Sequence, residues 1–117
     1  MMKLGKVVAE LKLTPLFLLP GSYENEIKGC YIGDLLSNVM AQAREGDLWL
    51  TVQTSMNVVA VARLLDLAGV IIVEGHLPQE DTLKKAEQEG IPLFSTRESA
   101  YKTACLLYGC GVGREQQ

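Results

Sequence analysis

The chain is poor in the residues that staple a fold together. Its 117 residues hold three cysteines, Cys30, Cys105 and Cys110, an odd number with no Cys-x-x-Cys spacing. They read as reduced thiols of a cytoplasmic protein. There is one histidine, His76, with no metal-motif partner around it, so no metal site is expected and no cofactor is implied. No apolar run approaches the ~18 residues that span a bilayer. The segment Met1-Met2-Lys3-Leu4-Gly5-Lys6 lacks the apolar core and small-residue cleavage site of a secretory signal. Basic charge is not in excess: 11 Lys and Arg stand against 14 Asp and Glu, for a net charge of −3 without a basic cluster. Nucleic-acid binding therefore has no electrostatic footprint, and no membrane partner is expected. No Gly-Lys-Ser/Thr occurs, which argues against a self-contained P-loop enzyme. Gly109-Cys110-Gly111-Val112-Gly113 is glycine-rich, but it follows a helical pattern and opens none, unlike a dinucleotide-binding turn.

What is present fits one globular domain. Hydrophobic residues make up 48% and charged residues 21% of the chain, enough at this length for a core without staples. The expected domain covers residues 1–108, with 109–117 as a flexible C-terminal tail.

The chain is organised around Gly46-Asp47-Leu48-Trp49-Leu50-Thr51-Val52-Gln53-Thr54-Ser55-Met56-Asn57 and the apolar run that follows. Gly46-Asp47 is a turn signal, Leu48 to Val52 a strand, Gln53-Thr54-Ser55 a polar turn, and Val58 to Leu65 a helix. Gly69-Val70-Ile71-Ile72-Val73 is a continuous apolar run, as in a strand of a parallel sheet buried on both faces. Before this unit, Leu4, Val7, Val8 and Leu11 predict an amphipathic helix over 4–13. Leu16 to Leu19 predicts a strand, which Pro15 places at an edge or at a strand start. Pro20-Gly21-Ser22 reads as a loop. Ile27 to Ile32 predicts a strand in which Gly29 marks a bulge or a close backbone approach. Asp34 reads as the N-cap of a helix whose face is Leu35, Leu36, Val39, Met40 and Ala43.

After the central unit, Gln79 to Glu89 predicts a helix, with acidic residues early, Lys84 and Lys85 later, and Gly90 just past its end. Ile91 to Phe94 predicts a third parallel strand. Ser95 and Glu98 read as a capping box for a last helix from about Arg97 to Leu107, with Ala100, Tyr101, Ala104 and Leu107 on one face. Alternation of this kind predicts a layered α/β/α sandwich on a mainly parallel, mixed sheet with right-handed crossovers.

Ligands of open α/β sheets sit beyond the carboxyl ends of the strands. Three such ends carry polar groups: Gln53, Thr54, Ser55 and Asn57; Gly75 and His76; and Ser95, Thr96 and Arg97. If the three strands are neighbours, these loops form one rim fit for a small anionic or nucleotide-like ligand, helped by free helix N–H groups. The plain alternative is that the Ser, Thr and Asn residues are only helix caps and His76 a surface residue. The helix after Asn57 is apolar nearly all round, so it needs cover on a second side from a neighbouring helix or another subunit. A homodimer is expected, with Val59, Ala62, Arg63, Leu65 and Asp66 at or near its interface.

The chain resembles the DRTGG domain family and is similar to the N-terminal domain of HPr kinase/phosphorylase. The likeness spans roughly Met2 to Tyr108. It is carried by Gly33-Asp34-Leu35-Leu36-Ser37-Asn38-Val39-Met40, by Glu45 to Thr54, by Asn57 to Ala62, and by Gly90 to Thr96. The segment that names the family should fall at Glu24-Asn25-Glu26-Ile27-Lys28-Gly29-Cys30, where Gly29 is kept while the Asp-Arg pair and the Thr are replaced. The resemblance implies an α/β sandwich that dimerises and regulates a protein partner, without a catalytic residue of its own. Three readings follow. The first is a non-catalytic regulatory module sensing a ligand at the rim. The second is a small enzyme of phosphoryl or acyl transfer using Ser95, Thr96, Arg97 and His76, for which no base stands at a readable spacing. The third is a structural partner in a larger complex.

Overall fold

The computed structural model describes residues 2–113. Five strands form the main sheet: β2 (Thr14–Phe17), β4 (Gly29–Ile32), β5 (Asp47–Thr51), β6 (Gly69–Ile72) and β7 (Leu93–Ser95). Their spatial order is β2-β7-β6-β5-β4, with β4, β5, β6 and β7 parallel and β2 antiparallel at one edge. This is the expected mixed, mainly parallel sheet. Pro15 lies in the edge strand, where the pairing with β7 also slips out of register; a proline costs least where no ladder bond is lost. A second, two-stranded sheet pairs β1 (Met2–Lys3) with β3 (Glu26–Ile27) antiparallel.

Helices cover both faces, because strand side chains alternate. Leu48, Leu50, Ile71 and Phe94 point to one side, into a core shared with α1 (Leu4–Leu11) and α5 (Ala100–Gly109). Trp49, Val70, Ile72 and Leu93 point to the other, towards α2 (Leu36–Gln42), α3 (Met56–Leu65) and α4 (Glu80–Glu89). The architecture is α/β/α.

Several local expectations need correction. The strand expected over 27–32 is two strands in two sheets: the chain leaves β3 at Ile27 and enters the main sheet at Gly29. The expected loop at Pro20-Gly21-Ser22 is a short 3-10 helix, Pro20–Glu24. Leu35 and Met40 do not join Val39 in the core; Leu35 is 69% exposed. The residue flanking α2 is Leu35, without a side-chain cap, and Asp34 is used elsewhere. No capping box forms at Ser95: that residue closes β7, and α5 starts at Ala100, capped by Ser99 Oγ, which accepts from the Lys102 N–H at 3.1 Å. Thr103, not Tyr101, joins Leu107 in the buried face of α5. Residues 109–113 are not a loose tail either, since Val112 is buried in the α1/α5 core and its N–H donates to the Leu107 carbonyl at 3.0 Å. Residues 114–117 lie outside the described residues.

Candidate functional site

The carboxyl ends of the three central strands are side by side. Thr51 of β5 faces Ile72 of β6, and Ile72 faces Ser95 of β7. The backbone carries the alignment one residue further: the Val73 N–H donates to the Thr51 carbonyl and the Thr96 N–H to the Ile72 carbonyl, both at 3.0 Å. The loops that leave these strands therefore form one rim, as three adjacent strand ends require.

Two of these loops are strapped together. Glu74 and Gly75 both have positive φ, 63° and 76°, a tight turn that Gly75 makes without strain and Glu74 does not. The Glu74 N–H donates to the Glu98 carbonyl and the Gly75 N–H to the Thr96 carbonyl, each at 2.9 Å. The two straps hold the β6–α4 loop against the β7–α5 loop. Between them and the edge strand opens a pocket of about 230 Å³ lined by Thr14, Gly75, Leu77, Ser95, Thr96 and Arg97.

Four of the expected ligand residues thus meet around one pocket: Gly75, Ser95, Thr96 and Arg97. Ser95 is buried and Arg97 is exposed. None of the five salt bridges among the described residues uses the Arg97 guanidinium. Thr96 Oγ1 accepts from the Glu98 N–H at 3.2 Å, which leaves its own proton to donate. Thr14 and Leu77 also line the pocket. Thr14 comes from a distant part of the sequence, through the antiparallel pairing Thr14↔Ser95. No local pattern could have found it.

Gln53, Thr54, Ser55, Asn57 and His76 stand on the rim but do not line this pocket. Gln53 and Thr54 serve the scaffold. Gln53 Nε2 donates to the Asp34 carbonyl at 2.7 Å, and the Thr54 carbonyl accepts from Thr82 Oγ1 at 2.7 Å. Ser55 sits at the N-cap of α3 without bonding its side chain there. Helices α3 and α5 start at the same remove from their strand ends, α3 at Met56 after Thr51 and α5 at Ala100 after Ser95.

The rim also extends over a fourth parallel strand end, which contributes Asp34. Asp34 Oδ1 accepts from Thr51 Oγ1 at 2.8 Å and from the Val52 N–H at 2.9 Å. Trp49 Nε1 donates to the Gly33 carbonyl at 2.8 Å. One carboxylate thus pins the β4–α2 loop to the end of β5. Asp34 stands at the β4/β5 end of the rim, and Arg97, with Glu98 next to it, at the β7 end.

Val59 and Ala62 are fully buried within the chain. The neighbours that cover α3 are α2 and α4. These two side chains have no surface to offer another subunit, whereas Arg63 and Asp66 are exposed and Leu65 half-buried. Among the described residues no three His, Cys, Asp or Glu side chains gather as a metal site. No helix among them is long and apolar enough to cross a membrane.

No family model matches the chain, and no curated protein does. A solved structure does: the CBS and DRTGG domains of the regulatory region of Clostridium perfringens pyrophosphatase, complexed with the activator diadenosine tetraphosphate. The TM-score is 0.71 at 15% identity, over 90% of this chain and 45% of that one. The fold is DRTGG-like. The chain spans less than half the length of the matched structure, and at this identity the likeness is one of fold.

Proposed function

We propose that this DRTGG-like domain is a regulatory module without catalysis of its own, which binds a small phosphate-bearing or nucleotide-like anion at the carboxyl rim of its sheet. The observation that carries this reading is the pocket beside Arg97. A guanidinium without an ion-pair partner among the described residues borders a concave site built where strand ends lie in register. Ser95, Thr96 and Thr14 supply hydroxyls around it, and the carboxylate of Asp34 stands at the opposite end of the rim. The solved DRTGG-containing structure is a regulatory region with a bound nucleotide activator, which supports the regulatory part of the reading. The module acts as a homodimer and passes the bound state to a protein partner.

The reading is tested by thermal shift of the purified chain with inorganic phosphate, acetyl phosphate, CoA, adenine and guanine nucleotides and diadenosine tetraphosphate. A ligand at 100 times its dissociation constant adds about 2.7 kcal/mol of stability, a shift of several degrees for a domain of this size. At least one compound is expected to raise the midpoint, and Arg97→Ala is expected to abolish that rise. A shift that survives Arg97→Ala would move the site elsewhere, and a flat screen would remove the sensing role. Turnover of acetyl phosphate or a nucleotide that is lost with His76→Ala would favour a transferase instead.

A further inference from the structure

Ser95 holds a hydroxyl that the fold leaves unused. The residue is 8% exposed at the end of β7, and its backbone is fixed on both sides, by Thr14 of β2 and Ile72 of β6. Buried hydroxyls are nearly always hydrogen-bonded. Thr51, Thr82 and Thr103, buried like it, donate to Asp34 Oδ1, the Thr54 carbonyl and the Ser99 carbonyl at 2.8, 2.7 and 2.8 Å. Among the described residues Ser95 Oγ has no such partner. No buried side-chain oxygen among them is both sealed from solvent and without a partner. Ser95 Oγ therefore keeps open surface, and Ser95 lines the pocket beside Arg97.

The rest of the lining sets the chemistry. Thr14 and Thr96 add two hydroxyls, Arg97 a guanidinium and Leu77 an aliphatic side chain, while Gly75 leaves open space where a Cβ would stand. A hydroxyl both donates and accepts, whereas a guanidinium only donates. Such a lining complements a ligand with several hydroxyls and one anionic group. Among the described lining residues no aromatic ring offers a stacking face for a base, and no amide or carboxylate side chain can read a base edge. Charge is as restrictive. Glu98 is engaged by Lys102 at 3.5 Å. Glu74, next to Gly75 on the turn, takes part in none of the salt bridges among the described residues. Arg97 is the one cation of the lining, with the Glu74 carboxylate close by in the chain; that suits one phosphate and not a string of them. The pocket, about 230 Å³, is also smaller than the roughly 300–1,000 Å³ that enclose ligands of drug size. A nucleotide is of that size; a triose or pentose phosphate is smaller.

We propose that the ligand of this pocket is a small polyol monophosphate, of the triose or pentose phosphate class, with its phosphate on Arg97 and its hydroxyls on Ser95, Thr96 and Thr14. The inference rests on the reading above that the rim binds an anion beside Arg97, and it narrows that anion away from nucleotides and polyphosphates.

The test titrates the full chain calorimetrically with glycerol monophosphate and ribose monophosphate, each phosphorylated on a terminal carbon, and with ribose, inorganic phosphate, AMP and ATP. At least one of the two polyol phosphates is expected to bind about tenfold more tightly than ribose or inorganic phosphate, which each keep only part of the contacts. It is also expected to bind more tightly than AMP and ATP. Ser95→Ala removes a hydroxyl that bonds nothing else among the described residues, so without ligand its melting midpoint is expected to match the parent's. With the polyol phosphate it is expected to weaken binding about fivefold. Arg97-dependent binding of AMP or ATP that equals or exceeds that of both polyol phosphates would overturn this inference while keeping the anion site. Polyol phosphate binding that Ser95→Ala and Thr14→Val both leave unchanged would overturn it as well. If none of the compounds binds, this inference and the anion reading fall together.

Discussion

Cys30 and Gly29 show what single residues do at the start of β4. A Cβ on Gly29 would lie 2.7 Å from Asp47 Oδ1, and the other oxygen of that carboxylate is held by the Arg44 N–H at 2.9 Å. What crowds Gly29 is thus a side-chain carboxylate, where a bulge or a close backbone approach was expected. Burial also raises the Asp47 carboxyl above its ordinary value, partly offset by the Arg44 backbone bond and charge. The neighbouring Cys30 thiol is pushed up to about 12, first by burial and then by the negative charge of Asp47. Its folded value lies above the unfolded one of 9.0. The resulting stability is whole below pH 9 and is lost as pH rises towards 12, because the unfolded thiol ionises first. Over that window stability falls with pH, because the unfolded chain has released a proton that the folded thiol keeps. Urea midpoints of the parent chain should fall between pH 9 and 11 more steeply than those of Cys30→Ala. In the native state iodoacetamide at pH 8 should label exposed Cys105 well before Cys30; equal rates would contradict the burial.

Elements are where local patterns were read best and where their ends were misread. Leu4, Val7 and Leu11 bury the face of α1 that their spacing predicts, and Gly90 ends α4 in the left-handed conformation, φ 70°. The capping box at Ser95 failed for a tertiary reason. Ser95 pairs with both Thr14 and Ile72, so its backbone belongs to the sheet and cannot turn into a helix. The cap passes to Ser99. Ser99→Ala should therefore cost about 1 kcal/mol, seen as a lower urea midpoint with local fraying of α5 by circular dichroism. If Ser95→Ala frayed α5 and Ser99→Ala did not, the start of the helix would be misplaced. Helix α3 makes the same point. Its apolar circumference needed a second cover, and α2 and α4 provide it within the chain. Its surface keeps Met56, Asn57, Ala60, Arg63 and Leu64, the last 68% exposed.

For the whole molecule, stability should be graded outward from the centre of the sheet. Residues of β6 are buried throughout, and Leu48 to Thr51 of β5 are as well. Their amides lie beneath helices on both faces and should exchange only through global unfolding. The two-residue pairing of β1 with β3 has exposed residues in each strand and should open first. Native-state hydrogen exchange checks this: the slowest amides should fall in 48–51 and 69–72, with those of 26–27 exchanging at a lower free energy. Uniform protection across both sheets would contradict the gradient. The layout of the rim is a property of this same scale, since Asp34 and Arg97 stand at opposite ends of the row of parallel strands.

By itself the sequence determined the five helices, the central strands, their order and the α/β/α class, because those follow from period-2 and period-3.6 burial and from turn residues that act over a few positions. It also marked the strand ends that bear polar side chains. Tertiary structure alone decided strand order, the division of residues 26–32 between two sheets, and the partners of Asp34 and Thr14. A backbone N–H or a carboxylate takes whichever partner the folded chain brings within about 3 Å, and for Asp34 and Thr51 that partner lies 17 residues away. Local periodicity tells which side of an element is buried; it does not tell which residue waits on the other side.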